Sequence, residues 1–208
     1  MNDLHRKGDV TGIVLAGGQG LRMGGVDKGL QPYAGRRLVE HALQRLRPQV
    51  DTLMVNANRN LQAYADLGVP VCPDEHPGFA GPLAGVAAGL ARCRTPWLVT
   101  VPCDTPGFPL DLVARLMQAA SEDDAQVAMA ATLQDGRLQP EPVFCLVRAD
   151  LRPSLLAFLQ AGQRKVDRWT AQHRCATAVF ETAADFDNLN TLQDLQRAAA
   201  PAATPAPD

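Results

Sequence analysis

The sequence predicts an α/β fold of Rossmann-like type, three layers deep (α/β/α), around a mostly parallel sheet with one antiparallel strand. Three observations predict it. Short apolar runs alternate with helix-period stretches through the first half of the chain, as in strands joined by crossover helices. Those runs are apolar without strict alternation, as in strands covered on both faces. Late in the chain, the turn-rich "QDGRLQP" separates two further strand-like runs, so one strand can return antiparallel.

Each element has its own justification. "VTGIVLA" reads as a buried strand. "RRLVEHALQRL" sets Leu38, Val39, Ala42, Leu43 and Leu46 on one helical face. "DTLMVNA" is a strand, "NLQAYADLG" a short helix ended by Gly68, and "VPVC" a short strand. "PLAGVAAGLARC" is a helix with Pro82 in its first turn. "PWLVTVP" is a strand and "PLDLVARLMQAA" a helix. "AQVAMAATL" and "EPVFCLV" are strands, and "LRPSLLAFLQAG" is a helix ending at Gly162. "CATAVFE" is the last strand. "TLQDLQRAAA" is the last helix, capped by Asn190 or Thr191. The organisation is then a tail over 1–8, one domain over 9–198, and a disordered tail over 199–208.

Composition narrows the function. The chain has 208 residues, a formal net charge of −2 and no long basic run, which argues against a duplex-binding protein. Aromatics at 5 % leave few stacking platforms for single strands. The five cysteines form no C-x-x-C pair, which fits reduced thiols in a cytoplasmic protein better than zinc or disulfides. No apolar run reaches the roughly 20 residues that cross a bilayer, and the polar "MNDLHRKGD" lacks the apolar core of a signal peptide.

The chemistry begins at "LAGGQGLRMG", Leu15 to Gly24, directly after a strand and expected to lead into a helix. Ligands of open α/β sheets bind at the carboxyl ends of strands. Glycines let a ligand approach the backbone, and successive N–H groups there suit an anion. The segment does not fit G-x-G-x-x-G, whose third glycine position from Gly18 falls on Met23, nor the P-loop pattern, because its lysine arrives late, at Lys28. Arg22 and Lys28 are the cations able to reach a triphosphate. A glycine-rich turn with two solvated cations would look the same in isolation.

A second stretch, "TVPCDTPGF", puts Asp104 just past another strand, at the same sheet edge. An Asp facing a triphosphate implies Mg²⁺, which takes one or two carboxylates plus phosphate oxygens. Asn56 follows the strand "DTLMV" and could read a base edge or ribose. Asp74 could accept from a purine's N–H groups, as guanine offers. Asn58, Arg59 and Glu75 read as ordinary turn residues. The four histidines share no metal spacing, no G-x-S-x-G elbow is present, and Cys103 reads as a packing residue.

Together "GIVLAGGQGLRMGGVDKGL", "MVNANRN", "GPLAGV", "PCDTP" and "NLNTLQDL" resemble the molybdenum cofactor guanylyltransferases, in order from about Thr11 to Leu195. The resemblance implies transfer of GMP from GTP to the phosphate of molybdopterin, with release of pyrophosphate and dependence on Mg²⁺. Molybdoenzymes and other cofactor-biosynthesis proteins become candidate partners. It assigns Leu15, Ala16 and Gly17 to backbone contacts with GTP. Lys28, Asn56, Asp74 and Asp104 become nucleotide contacts, Asp104 also on the metal. Gly18, Arg22, Gly81, Pro82, Leu83 and Gly85 line the same cleft. Asn188 and Asn190 fall on a late N-x-N-T motif, where Asn190 would touch metal or phosphate, and together with Arg164 and Lys165 they are the candidates to hold the acceptor. The sequence departs at Leu21, where relatives often carry a polar residue, and at Glu141, where a His/Pro/Thr pattern is common.

The catalytic set is thus Arg22, Lys28 and Asp104. The nucleophile, a phosphate monoester, is already anionic at pH 7, so neutralisation and alignment carry the reaction rather than a general base. Competing readings are a cytidylyl- or sugar-1-phosphate nucleotidyltransferase and a non-catalytic GTP-binding cofactor chaperone.

Overall fold

Residues 9–18, 25–75, 81–191 and 194 are described by the structure, a computed structural model. Its seven-stranded sheet is laid down around β1 (Val10–Leu15), whose neighbours are β4 (Thr52–Asn56) and β6 (Trp97–Pro102), both parallel to it. β5 (Val71–Cys72) extends the sheet beyond β4. On the other side lie β8 (Arg137–Arg148), then β7 (Val127–Gln134), then β9 (Cys175–Phe180), giving the order β5-β4-β1-β6-β8-β7-β9. β8 is antiparallel to both of its neighbours, while β7 and β9 are parallel to each other. One strand therefore runs against the other six, as the sequence predicts.

Side-chain alternation divides the core into two apolar layers. Val10 and Val14 face α1 (Leu38–Leu46) and α4 (Leu112–Glu122), joined by an aromatic group of Phe108, Phe144, Phe180 and Phe186. Ile13 and Leu98 face α3 (Pro82–Arg92) and α5 (Arg152–Gln160). α3 is buried along most of its length and lies hard on the sheet. A Cβ at Gly89 would come within 2.9 Å of Ile13 Cδ1, and one at Gly85 within 2.8 Å of Leu15 Cδ2. Those two glycines, four residues apart, set how closely the helix approaches β1. Short helices α2 (Leu61–Ala65) and α6 (Val166–Thr170) complete the layers through buried Tyr64 and Trp169. Among the described residues no helix is long and apolar enough to cross a membrane.

Three sequence expectations change. The glycine segment does not lead straight into a helix. A 3-10 turn at Lys28–Leu30 and a small hairpin, β2 (Pro32–Tyr33) and β3 (Arg36–Arg37), intervene before α1. The "QDGRLQP" connection is mostly strand: β7 and β8 are joined by Asp135 and Gly136 alone, both with positive φ (49° and 74°). α6 was not foreseen, because five residues are too few for a helical period to register. The tails over 1–8 and 199–208 and most of the expected last helix lie outside the described residues. Of the two candidate caps for that helix, Thr191 holds the position. Its hydroxyl accepts from the Asp194 N–H (3.0 Å), and the Asp194 carboxylate accepts from the Thr191 N–H (2.8 Å).

Candidate functional site

The parallel strands finish level with one another. Leu15 is paired with Asn56 and with Pro102, and Asn56 with Cys72, so the four exits form one row. Every sequence-predicted polar residue on the exits of β4, β5 and β6 follows from this row. Ala16 and Cys103 close it, their N–H groups donating to Asn56 O (2.8 Å) and Leu15 O (3.1 Å).

At one end of the row, Asn56 and Asn58 converge on Asp74. The Asn56 amide donates to Cys72 O (2.8 Å) and to Asp74 Oδ1 (2.9 Å). The Asn58 amide donates to Asp74 Oδ2 (2.8 Å) and Gly17 O (3.3 Å), while its own oxygen accepts from the Asp74 N–H (2.8 Å). A carboxylate with both oxygens held by neutral donors is fixed in place and keeps lone pairs for further N–H groups. The glycines here make room. A Cβ at Gly17 would lie 2.7 Å from Asn56 Oδ1, and one at Gly85 2.5 Å from the same atom. Gly81, at φ 97°, turns the chain into α3, and exposed Pro82 occupies that helix's first turn. The Leu83 side chain is fully buried in the α3 layer, so only its backbone remains for a ligand.

At the other end, the Lys28 ammonium is ion-paired to Asp104 and donates to Asn190 Oδ1 (2.9 Å). Both members of the ion pair are largely covered, with 17 % and 18 % of their side chains exposed. The late N-x-N-T segment is brought in by backbone and side chain: Leu189 N–H donates to Asp104 O (2.8 Å), and Thr105 Oγ1 donates to Asn188 Oδ1 (2.8 Å). Asn190 thus belongs to the Lys28–Asp104 centre, and Asn188 acts one step away by fixing Thr105. The neighbouring Cys103 is buried, and burial, then the Asp104 charge, push its thiol far up; it stays protonated and is no nucleophile.

The remaining candidates separate. Arg22 lies outside the described residues, as does the stretch 76–80 of the Gly/Pro loop. Exposed Gly18 stands just before the undescribed part of the glycine segment. The Arg164 guanidinium donates to Leu159 O (2.7 Å) and Gln163 O (2.6 Å), at the carboxyl end of α5. Its backbone oxygen would be 4.0 Å from a Cβ on Gly81, which places Arg164 and exposed Lys165 next to the entry of α3.

Sequence reasoning missed three residues that the structure places beside this row. Asn58 holds Asp74, as above. Arg59 donates to Gly25 O (2.6 Å), Val26 O (2.8 Å) and Gly18 O (3.3 Å). Asp27, only 7 % exposed, accepts from Tyr64 (2.6 Å) and Asn60 (3.0 Å). Burial, reinforced by the Asp27 carboxylate, drives the Tyr64 phenol far above its usual range, so it remains a donor at any working pH. The available signal was spacing: Asn56 and Asn58 sit two apart on an extended exit and share a face. Glu75 pairs with Arg152 (2.8 Å), tying this edge to α5.

A glycine-lined row of strand exits with a covered lysine–aspartate pair and a fixed carboxylate defines an α/β protein with its polar groups gathered where open sheets of this kind bind their ligands. The comparisons make this specific. A family model described as the MobA-like NTP transferase domain matches residues 12–177. A molybdenum cofactor guanylyltransferase of Bordetella petrii is 62 % identical, over 92 % of this chain and 97 % of its own. In fold, molybdopterin-guanine dinucleotide biosynthesis protein A of Archaeoglobus fulgidus superposes with a TM-score of 0.73 at 22 % identity, covering 91 % of this chain and 96 % of its own. A Mycobacterium tuberculosis protein crystallised with manganese gives 0.64 at 16 % identity, over 92 % and 98 %. The chain belongs to the MobA-like NTP transferase family.

Proposed function

We propose that the protein transfers GMP from GTP to the phosphate of molybdopterin and releases pyrophosphate. The observation that carries the reading is the Lys28 ammonium held between Asp104 and Asn190, level with the glycine-rich exit of β1. An acceptor phosphate oxygen attacks the α-phosphorus of GTP. The new P–O bond forms as the bond to the oxygen bridging the β-phosphorus breaks, and that oxygen leaves on pyrophosphate. The acceptor is a dianion or monoanion at pH 7, so no base is needed; among the described residues no histidine is placed at this centre. Lys28 offsets charge on the phosphates, and Arg22 is its proposed companion. Asp74, braced by Asn56 and Asn58, accepts from guanine N–H groups, with Leu15, Ala16, Gly17 and Gly18 giving close backbone approach. Gly81, Pro82 and Gly85 line the cleft beside them, and Arg164 and Lys165 adjoin the acceptor end.

A divalent cation fits the centre. Asp104 and Asn190 offer oxygen donors that already converge on one positive charge, and oxygen donors are what Mg²⁺ takes. Asp104 and Asn190 would hold it, and when bound it supplies neutralisation of phosphate oxygens. The high identity to a guanylyltransferase over nearly its whole length supports the choice of nucleotide and acceptor. Five free thiols support a cytoplasmic setting, with molybdoenzymes or cofactor-biosynthesis proteins receiving the product.

The test is pyrophosphate release with Mg²⁺ and molybdopterin, GTP and CTP side by side. GTP should turn over at least about tenfold faster, the discrimination expected when a site's polar groups are matched by one base and left unpaired by the other. Equal or faster turnover with CTP rejects the assignment of the base, and binding of GTP with no pyrophosphate released makes the protein a carrier.

A further inference from the structure

The segment "GVDK", Gly25 to Lys28, is held from beneath by groups that the proposed reaction does not use. We infer that Arg59, Asp27 and Tyr64 form a clasp that positions Lys28 and both flanks of the glycine segment, and that this clasp sets nucleotide affinity. The inference rests on the proposed nucleotide reading.

Arg59 spans the segment. Its guanidinium donates to Gly18 O on the β1 side and to Gly25 O and Val26 O on the far side. One planar fork therefore joins two stretches of backbone separated by six residues of sequence. Asp27 anchors that fork. Its Oδ2 lies 3.7 Å from Arg59 Nε and accepts from Asn60, while its Oδ1 accepts from Tyr64. A nearly buried carboxylate needs such partners, because leaving it unpaired is costly. Its own backbone oxygen accepts from Gln31 Nε2 (3.0 Å). Tyr64 is fully buried, and beyond Asp27 its hydroxyl lies against the backbone at Gly29, where a Cβ would come within 2.5 Å of it. Asp27 and Gly29, the two chain neighbours of Lys28, are thus both set by Tyr64. The ammonium that meets Asp104 and Asn190 is carried on a backbone with little freedom left. Pre-placing a cation in this way removes ordering cost from binding. Asp27, Arg59 and Tyr64 act through Lys28 and the backbone, so they are positioning residues.

Arg59→Ala, Arg59→Lys and Tyr64→Phe test this, each read in two ways. Amide hydrogen exchange without nucleotide should speed up at residues 18 and 25–29 in Arg59→Ala, with the rest of the sheet unchanged. With GTP, Mg²⁺ and acceptor, KM for GTP should rise about tenfold in Arg59→Ala, the scale of losing a charge-assisted hydrogen bond, while kcat falls less. Arg59→Lys should recover part of that loss, and Tyr64→Phe should raise KM several-fold with the hydroxyl alone removed. Should Arg59→Ala fail to fold, the other two variants carry the same readouts. Wild-type exchange and wild-type KM in all folded variants overturn the clasp. Faster exchange at these residues in Arg59→Ala, together with a wild-type protein that binds no GTP, leaves the positioning of this backbone by the clasp standing and overturns the proposed function instead.

Discussion

Lys28 is the residue on which the site turns, because it is the charge that joins Asp104, on the exit of β6, to Asn190, far along the chain. Its ammonium is largely withdrawn from water, so its field is less screened than that of a surface lysine. Lys28→Ala should lower kcat about 100-fold, the scale of removing one transition-state charge contact, and should also lower the unfolding temperature, because the largely covered Asp104 carboxylate loses its partner. Steady-state pyrophosphate release measures it, and normal turnover in that variant removes the electrostatic mechanism. Lys28, Asn56, Asp74 and Asp104 were legible in the sequence because each follows a glycine-rich or apolar strand run, and parallel strands bring their exits together. Asn58 and Arg59 were not. As letters they are ordinary turn residues, and their importance comes from partners such as Gly17 O and Gly25 O, 41 and 34 positions away.

Among the elements, the β7–β8 hairpin shows why a strand can hide in a sequence. Pro140 and Pro142 speak against a central strand, since proline gives no N–H to a ladder. β8 nevertheless runs through them. Its pairing with β6 spans only Cys145–Arg148, so Pro140 lies where β7 is its one partner. A register shift between Met129 and Ala130 absorbs the irregularity. The Asp-Gly pair at the tip was the available sign of a two-residue hairpin. Gly136 sits at φ 74°, a conformation an L side chain adopts at a cost of about 1 kcal/mol. Gly136→Ala should therefore lower the urea midpoint by the equivalent of about 1 kcal/mol and leave KM for GTP unchanged, because the tip is exposed and takes no part in the strand-exit row. An unchanged midpoint would mean that the turn relaxes to another type. The longer helices posed no such difficulty: α1 and α4 carry long apolar periods, and packing agrees with them, whereas α6 is too short to carry one.

For the whole molecule, alternating strands and helices predicted the class and the antiparallel strand, but not the order of strands, which depends on which faces meet in space. That order matters for metal binding. It puts β1 between β4 and β6, so the Asn56–Asp74 cluster and the Lys28–Asp104 pair fall on opposite sides of one glycine-rich exit. Among the described residues, no three histidine, cysteine, aspartate or glutamate side chains converge. Asp104 and Asn190 alone make a poor cage for a cation that prefers six oxygens, so on the proposed function phosphate oxygens and water would complete it. Metal and nucleotide should then stabilise the fold only together. Thermal unfolding with Mg²⁺ alone should match that in EDTA. GTP with Mg²⁺ at about 100 times Kd should add about 2.7 kcal/mol, roughly 5–10 °C for a chain of this size. Asp104→Asn should reduce the joint shift to that of GTP in EDTA. A full shift from Mg²⁺ without nucleotide would show that the protein builds its own metal site, and the dependence on phosphate argued from the strand exits would be lost.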